Sequence, residues 1–328
     1  MKLASDSQAM VMLCSRLGFS TQTNVKTYTL KDWNPLARKL IDANMHPGDL
    51  LGLSAVDIKS QLDIGLEESE RVSFLLERGT AIAIELDRLS SLGIWVWTRA
   101  DKVYPVRYRQ RLKDSAPLVL FGSGDKYLPG QPGLAIVGSR NVDVEIKAFA
   151  EEIGNICANS GLVVYSGGAR GIDTYSMIAA LDGRGTSVSV LGHSLEKVIR
   201  DIDIRMALEN ENLTLLTPYL PSAGFSVGGA MGRNKLIYTL ADYALVISSD
   251  FNKGGTWAGA TENLKNGWVP LFVMDSMHMP EGNKMLLEKG AISMPNPLPI
   301  EGSKEFRNWL KRNSKKIQPP PSQMSLFS

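Results

Sequence analysis

The sequence predicts an α/β protein: a mostly parallel sheet whose strands are joined by helical crossovers. Three observations predict it. Leu134–Val137, Leu162–Tyr165 and Ser187–Leu191 are apolar runs of strand length, too short for helices. Between them, Val142, Ile146, Phe149, Ala150, Ile153 and Cys157, then Ile178, Ala179 and Leu181, fall at helical spacing. Each strand gives way to its helix through a turn, Gly138-Ser139-Arg140 in one case and Ser166-Gly167-Gly168-Ala169-Arg170-Gly171-Ile172-Asp173 in the other.

Taken from its start, the chain reads as helical over residues 1–90. Val11, Leu13, Leu17, Leu40, Ile41, Leu50 and Leu51 supply apolar faces, and Glu67–Leu89 is a helical stretch with a break expected at Gly79. Gly93–Trp97 alternates as a strand, and Ala116–Gly122 follows as another. Beyond Gly192, Leu195–Leu208 reads as helix and Leu213–Thr217 as strand. Pro218–Gly232 reads as a Gly/Pro-rich loop, with a helix opening at Gly232. Tyr243–Ile247 and Pro270–Met274 are further strands. Between them Lys253-Gly254-Gly255-Thr256 makes a third strand-to-helix turn. Three domains are expected: residues 1–90, helical; 91–300, the sheet; and 301–328, a short helix followed by a tail.

The chemistry is expected in these turns. In open α/β sheets ligands dock beyond the carboxyl ends of the strands, where unpaired N–H groups and the positive ends of helices gather. Gly167, Gly168 and Gly171 would let a phosphate approach the main chain, with Ser139, Ser166 and the glycine amides as donors. Arg140 and Arg170 add forked, permanent charge. Lys253, Gly254, Gly255 and Thr256 are fit to hold an anion in the same way. The plainer alternative is that the glycines only make tight turns and Arg170 pairs with Asp173.

Composition narrows the options. The 328 residues carry a net charge of only +2. Between 301 and 316 there are six cations and two carboxylates, so the rest of the chain is net −2 and any polyanion site must be a local patch. Two cysteines, Cys14 and Cys157, indicate no disulfide framework and fit a reducing cytoplasm. His46, His193 and His278 have no metal-ligand spacing, and no metal or cofactor is expected. The start has no secretory pattern, and no segment reads as membrane-spanning.

Ile136-Val137-Gly138-Ser139-Arg140 and Ser166–Asp173 resemble the two signature turns of the DprA/Smf DNA-processing family. Tyr104-Pro105 ahead of Pro117-Leu118-Val119-Leu120-Phe121 resembles that family's lead-in to its sheet. Gly282-Asn283 through Gly290-Ala291 resembles its closing helix, so the resemblance runs from about 93 to 292. It implies an extended Rossmann-like, doubly wound sheet, and by position a sterile-alpha-motif-like domain over residues 1–90. The family's Arg-Asn-Arg falls on Arg233-Asn234-Lys235, where lysine keeps the charge and loses the fork. Thr174-Tyr175-Ser176-Met177, Glu196-Lys197-Val198 and Gly254-Gly255-Thr256 depart from the family pattern and mark a divergent branch.

The resemblance implies a non-enzyme that binds single-stranded DNA, dimerises and helps load the RecA recombinase, in DNA uptake or repair. Arg140, Arg170, Arg233 and Lys235 would contact phosphates, and Tyr175 and Phe225 are the candidate stacking aromatics. Residues 313–328 are poor in apolar side chains and end in Gln323-Met324-Ser325-Leu326-Phe327, which resembles the bacterial sliding-clamp-binding peptide. The family's winged-helix domain has no room here. A second reading is a nucleotide sensor or enzyme: Gly254-Gly255-Thr256 with Glu262 faintly resembles the "lonely guy" phosphoribohydrolases. NAD chemistry is disfavoured, since no Gly-Xaa-Gly-Xaa-Xaa-Gly follows the first strand.

Overall fold

The computed structural model describes residues 3–19 and 24–314. In chain order the helices α1 (Ser5–Cys14), α2 (Leu30–Asp42), α3 (Ala55–Leu62), α4 (Leu66–Leu76) and α5 (Gly79–Ser91) precede strand β1 (Ile94–Thr98). Next come α6 (Val106–Leu112), β2 (Val119–Gly124), β3 (Gly133–Gly138), α7 (Val144–Ser160) and β4 (Val163–Ser166). They are followed by α8 (Ile172–Asp182), β5 (Ser187–Val190), α9 (Leu195–Val198), α10 (Ile202–Glu209) and β6 (Leu213–Thr217). The chain continues through α11 (Val227–Leu240), β7 (Tyr243–Ser248), α12 (Gly254–Asn266), β8 (Leu271–Asp275), α13 (Glu281–Glu288), β9 (Ile292–Pro295) and α14 (Ser303–Ser314).

Contacts divide the chain into two units. The first holds residues 1–126, 193–208 and 215–225. Its helices pack around Met10, Leu13, Leu50, Ile58, Val72, Leu75 and Leu89, all buried. Gly79 does divide the expected 67–89 helix, into α4 and α5. β1 and β2 pair antiparallel, with Trp97 opposite Leu120.

Of the described residues, the second unit holds 127–192, 209–214 and 226–314. Its strands run β5-β4-β3-β7-β8-β9, every adjacent pair parallel. This is the Rossmann-like α/β fold expected. Side chains alternate across the sheet. Leu134, Ile136, Val164, Leu245, Ile247, Phe272 and Met274 face a core that α7, α8 and α14 close. Ala135, Val137, Val246 and Val273 are also buried and point the other way, so both faces are covered and the strands read as continuous apolar runs.

Strand order sets the site. From β3 the chain first winds outward through β4 and β5, and later resumes on β3's other side with β7 and β8. The connections leaving β3 and β7 therefore diverge, and a crevice opens beyond their carboxyl ends.

One helix begins earlier than expected. Ser226 caps α11, its side chain accepting from Gly229 N at 2.9 Å, so the helix includes Gly228, Gly229 and Gly232. Glycine weakens a helix interior by about 1 kcal/mol relative to alanine, which is why this stretch reads as loop. Close packing overrides it: a Cβ on Gly192 would lie 2.8 Å from Ala230 Cα.

Candidate functional site

The first turn leaves β3 at Ser139. Ser139 N donates to Ser248 O at 2.9 Å and Ser139 Oγ to the same carbonyl at 3.2 Å. Ser248 Oγ donates back to Ser139 Oγ at 3.3 Å, so the ends of β3 and β7 are fastened together. Arg140 and Asn141 follow, both exposed, and Asp143 caps α7 by accepting from Ile146 N at 2.9 Å.

The second turn, Ser166–Gly171, nests on the first. Gly171 has φ 95° and ψ −135°, a conformation only glycine adopts readily. A Cβ there would lie 2.5 Å from Ser139 O and 2.6 Å from Arg140 O. Arg170 is exposed and donates to Asn141 Oδ1, which links the two arginine-bearing turns.

The glycine turn is filled from within. Asp173, 5% exposed, accepts from Gly167 N at 3.0 Å and Ala169 N at 3.4 Å through Oδ2. Gly168 N donates to Ser166 Oγ at 3.3 Å. Arg233, 7% exposed, lies over Gly167 and donates to its carbonyl at 2.9 Å. Burial pushes the Asp173 carboxyl above its ordinary range; the Arg233 charge, the two amides and Arg140 oppose that.

One part of the plainer alternative and one expectation are corrected accordingly. Arg170 pairs with Asn141 and not with Asp173. The amides of Gly167 and Gly168, expected to face a phosphate, are already engaged, by the Asp173 carboxyl and the Ser166 hydroxyl. Ser166 is fully buried beneath the turn and Arg233 is internal. Among the expected cations, Arg140, Arg170 and Lys253 are exposed and Lys235 is half-buried.

The third turn leaves β7. Asn234 Nδ2 donates to Gly255 O at 2.9 Å and ties α11 to the first turn of α12. Gly254 has φ 74°, with nothing within 4 Å of where a Cβ would stand, while Gly255 and Thr256 are half-buried. Tyr175 is half-buried, with Lys147 Nζ 5.2 Å from its ring centroid. Phe225 lies in the first unit, and Glu262 is exposed midway along α12. Sequence reasoning passed over Asn141, whose position one residue beyond Arg140 was the available signal, and took Asp173 only as an arginine's partner.

Among the described residues there is no group of three or more metal-ligating side chains. No described helix is long and apolar enough to cross a membrane. The residues Gln323–Phe327 lie outside the described ones.

The fold and site define a class: a doubly wound α/β protein whose first two strand-to-helix turns, carrying exposed Arg140 and Arg170, are bonded together at the carboxyl end of the sheet. The model of the DNA recombination-mediator protein A family matches residues 95–300. The chain belongs to that family, DprA/Smf. It is 28% identical over 181 residues to DNA processing protein DprA of Streptococcus pneumoniae, covering 54% of this chain and 63% of that protein. With protein Smf of Escherichia coli it shares 27% identity over 202 residues, covering 59% and 53%. The chain thus spans less than two thirds of the length of these curated relatives.

The crystal structure of the Streptococcus pneumoniae protein has the same fold, with a TM-score of 0.66 at 19% identity, covering 94% of this chain and 99% of that one. A structure of DNA processing protein A from Helicobacter pylori, described for its single-stranded DNA binding mode, gives a TM-score of 0.54 at 25% identity. It covers 67% of this chain and 96% of that one.

Proposed function

We propose that this chain binds single-stranded DNA along the rim formed by the turns after β3 and β4, as a mediator of homologous recombination. One observation carries the reading. Arg140 and Arg170 stand exposed on two turns that Gly171 and the Arg170–Asn141 bond lock together at the sheet's switch point. Two rigidly spaced guanidinium groups suit successive phosphates of one strand. Lys235 extends the charge, while Arg233 acts from beneath by holding the glycine turn. The family's role and the DNA named for the Helicobacter relative support the same ligand.

The finer assignments follow from the resemblance. RecA loading and a homodimer rest on family likeness, and tethering to a sliding clamp on Gln323–Phe327. Residues 1–90 would serve as a helical module, 91–300 as the DNA-binding part and 301–328 as helix and tether. Free Cys14 and Cys157, both with thiols raised by burial, Cys157 to about 12, suit a reducing cytoplasm. By the same resemblance we read the protein as a binder and not an enzyme.

The test is a titration of a labelled thymidine oligonucleotide at several salt concentrations. Arg140→Ala with Arg170→Ala should weaken binding and lower the slope of log affinity against log salt by about 1.4, near 0.7 per phosphate contact. Unchanged affinity and slope in the double variant would refute this assignment.

A further inference from the structure

The third turn carries a feature that charge does not explain. Its root is rigid: buried Asn283 accepts from Ser249 N at 2.9 Å and donates to Ile247 O at 2.9 Å and Met274 O at 3.0 Å. Gly282 lies so close that a Cβ would fall 2.2 Å from Ser249 O. Beyond this root, Asp250 through Gly254 are exposed. The carboxylate of Asp250 offsets the ammonium of Lys253, so the turn offers little net charge.

What it does offer is a ring. Phe251 is 39% exposed and meets Trp257, itself 8% exposed, edge to face, with centroids 5.1 Å apart at 84°. Either sense of this T-shape leaves at least one face of Phe251 clear of Trp257. Phe251 is thus a partly exposed ring on a rigid root, braced by Trp257 and with a face that Trp257 does not cover. The Ser139–Ser248 bonds fasten this turn to the one bearing Arg140, and three residues of chain hold Phe251 within about 11 Å of Ser248.

We propose that Phe251, braced by Trp257, is a stacking platform for a nucleobase of an unpaired strand whose phosphates lie on the Arg140 and Arg170 turns. The proposal rests on the single-strand reading above and deepens it, since a stacking face distinguishes unpaired bases from a closed duplex. It also assigns the third turn to bases, where its glycines had suggested another phosphate contact.

Binding of the full chain to a thymidine oligonucleotide and to an abasic oligonucleotide of equal length and charge separates the outcomes. Phe251→Ala should lose roughly 5- to 100-fold on the thymidine strand. It should keep its affinity for the abasic strand, its salt slope and its melting temperature, and Phe251→Trp should restore binding. Where Phe251→Ala lowers the melting temperature, Phe251→Leu, which keeps bulk and lacks the π face, should show the same base-dependent loss. Equal loss on both strands, or no loss while the Arg140/Arg170 double variant binds weakly, overturns the platform and leaves the single-strand reading intact. A wild-type chain that binds neither strand overturns the reading itself.

Discussion

Asp173 is ionisable, almost wholly enclosed and bonded to two amides of its own turn. Asp173→Ala would strip those amides of their acceptor and leave Arg233 buried beside a methyl group. A cost of about 3–5 kcal/mol in urea unfolding is expected. The pH dependence has a definite sign. The folded carboxyl titrates above the unfolded one, near 3.9. Between those two values the native state keeps a proton that the unfolded chain has released, so this group's contribution to stability falls as pH rises through that window. Asp173→Asn removes that slope, and identical pH profiles for variant and wild type would count against it. The anion-receiving pattern of Ser166–Asp173 was legible in the sequence. That its anion is Asp173 was not, because the positive φ of Gly168 and Gly171 folds the turn back on itself, and linear spacing does not record that.

At the scale of elements, α14 matters most. Its helical character was readable over Ser303–Leu310, but the cationic surroundings grouped it with the tail. The structure buries Phe306, Trp309 and Leu310, at i, i+3 and i+4, in the core closed by α7 and α8. Trp309 meets Phe272 of β8 at 5.6 Å between centroids, and Arg307 donates to Gly161 O at the end of α7. Phe306→Ala should therefore destabilise the chain by about 3–5 kcal/mol, read as a lowered urea midpoint; a change within ±0.5 kcal/mol would mean α14 is merely laid on the surface. The helices α7 and α8 were legible because their apolar spacing and their bounding residues agree. Gly161, at φ 64°, ends α7 where the sequence has its break. The start of α11 was hidden by its glycines, and the close approach of Gly192 to Ala230 is remote in sequence.

At the scale of the whole molecule, a near-neutral chain confines polyanion binding to local patches, and the candidate clamp peptide lies far along the sequence from the rim. Deleting residues 323–327 should leave affinity for single strands and its salt slope unchanged while abolishing association with a sliding clamp; co-sedimentation with the clamp reads the second effect. Loss of both together would show that the end of the chain takes part in the DNA site. Strands β1 to β8 were legible from their apolar runs, whereas β9, short and mostly half-exposed, was missed. The order β5-β4-β3-β7-β8-β9 was not legible, since it depends on pairings between segments more than a hundred residues apart, such as Leu134 with Tyr243.

The contact between Gly167 and Arg233 constrains how such a site changes over time. A methyl group at 167 would sit 1.7 Å from the Arg233 guanidinium, so the end of that buried side chain has to move before anything but glycine can stand there. Neither position is at liberty to drift alone. A side chain at 167 displaces the guanidinium lying over the turn, and with it a charge that opposes the raised carboxyl of Asp173, so changes at 167, 173 and 233 should be coupled.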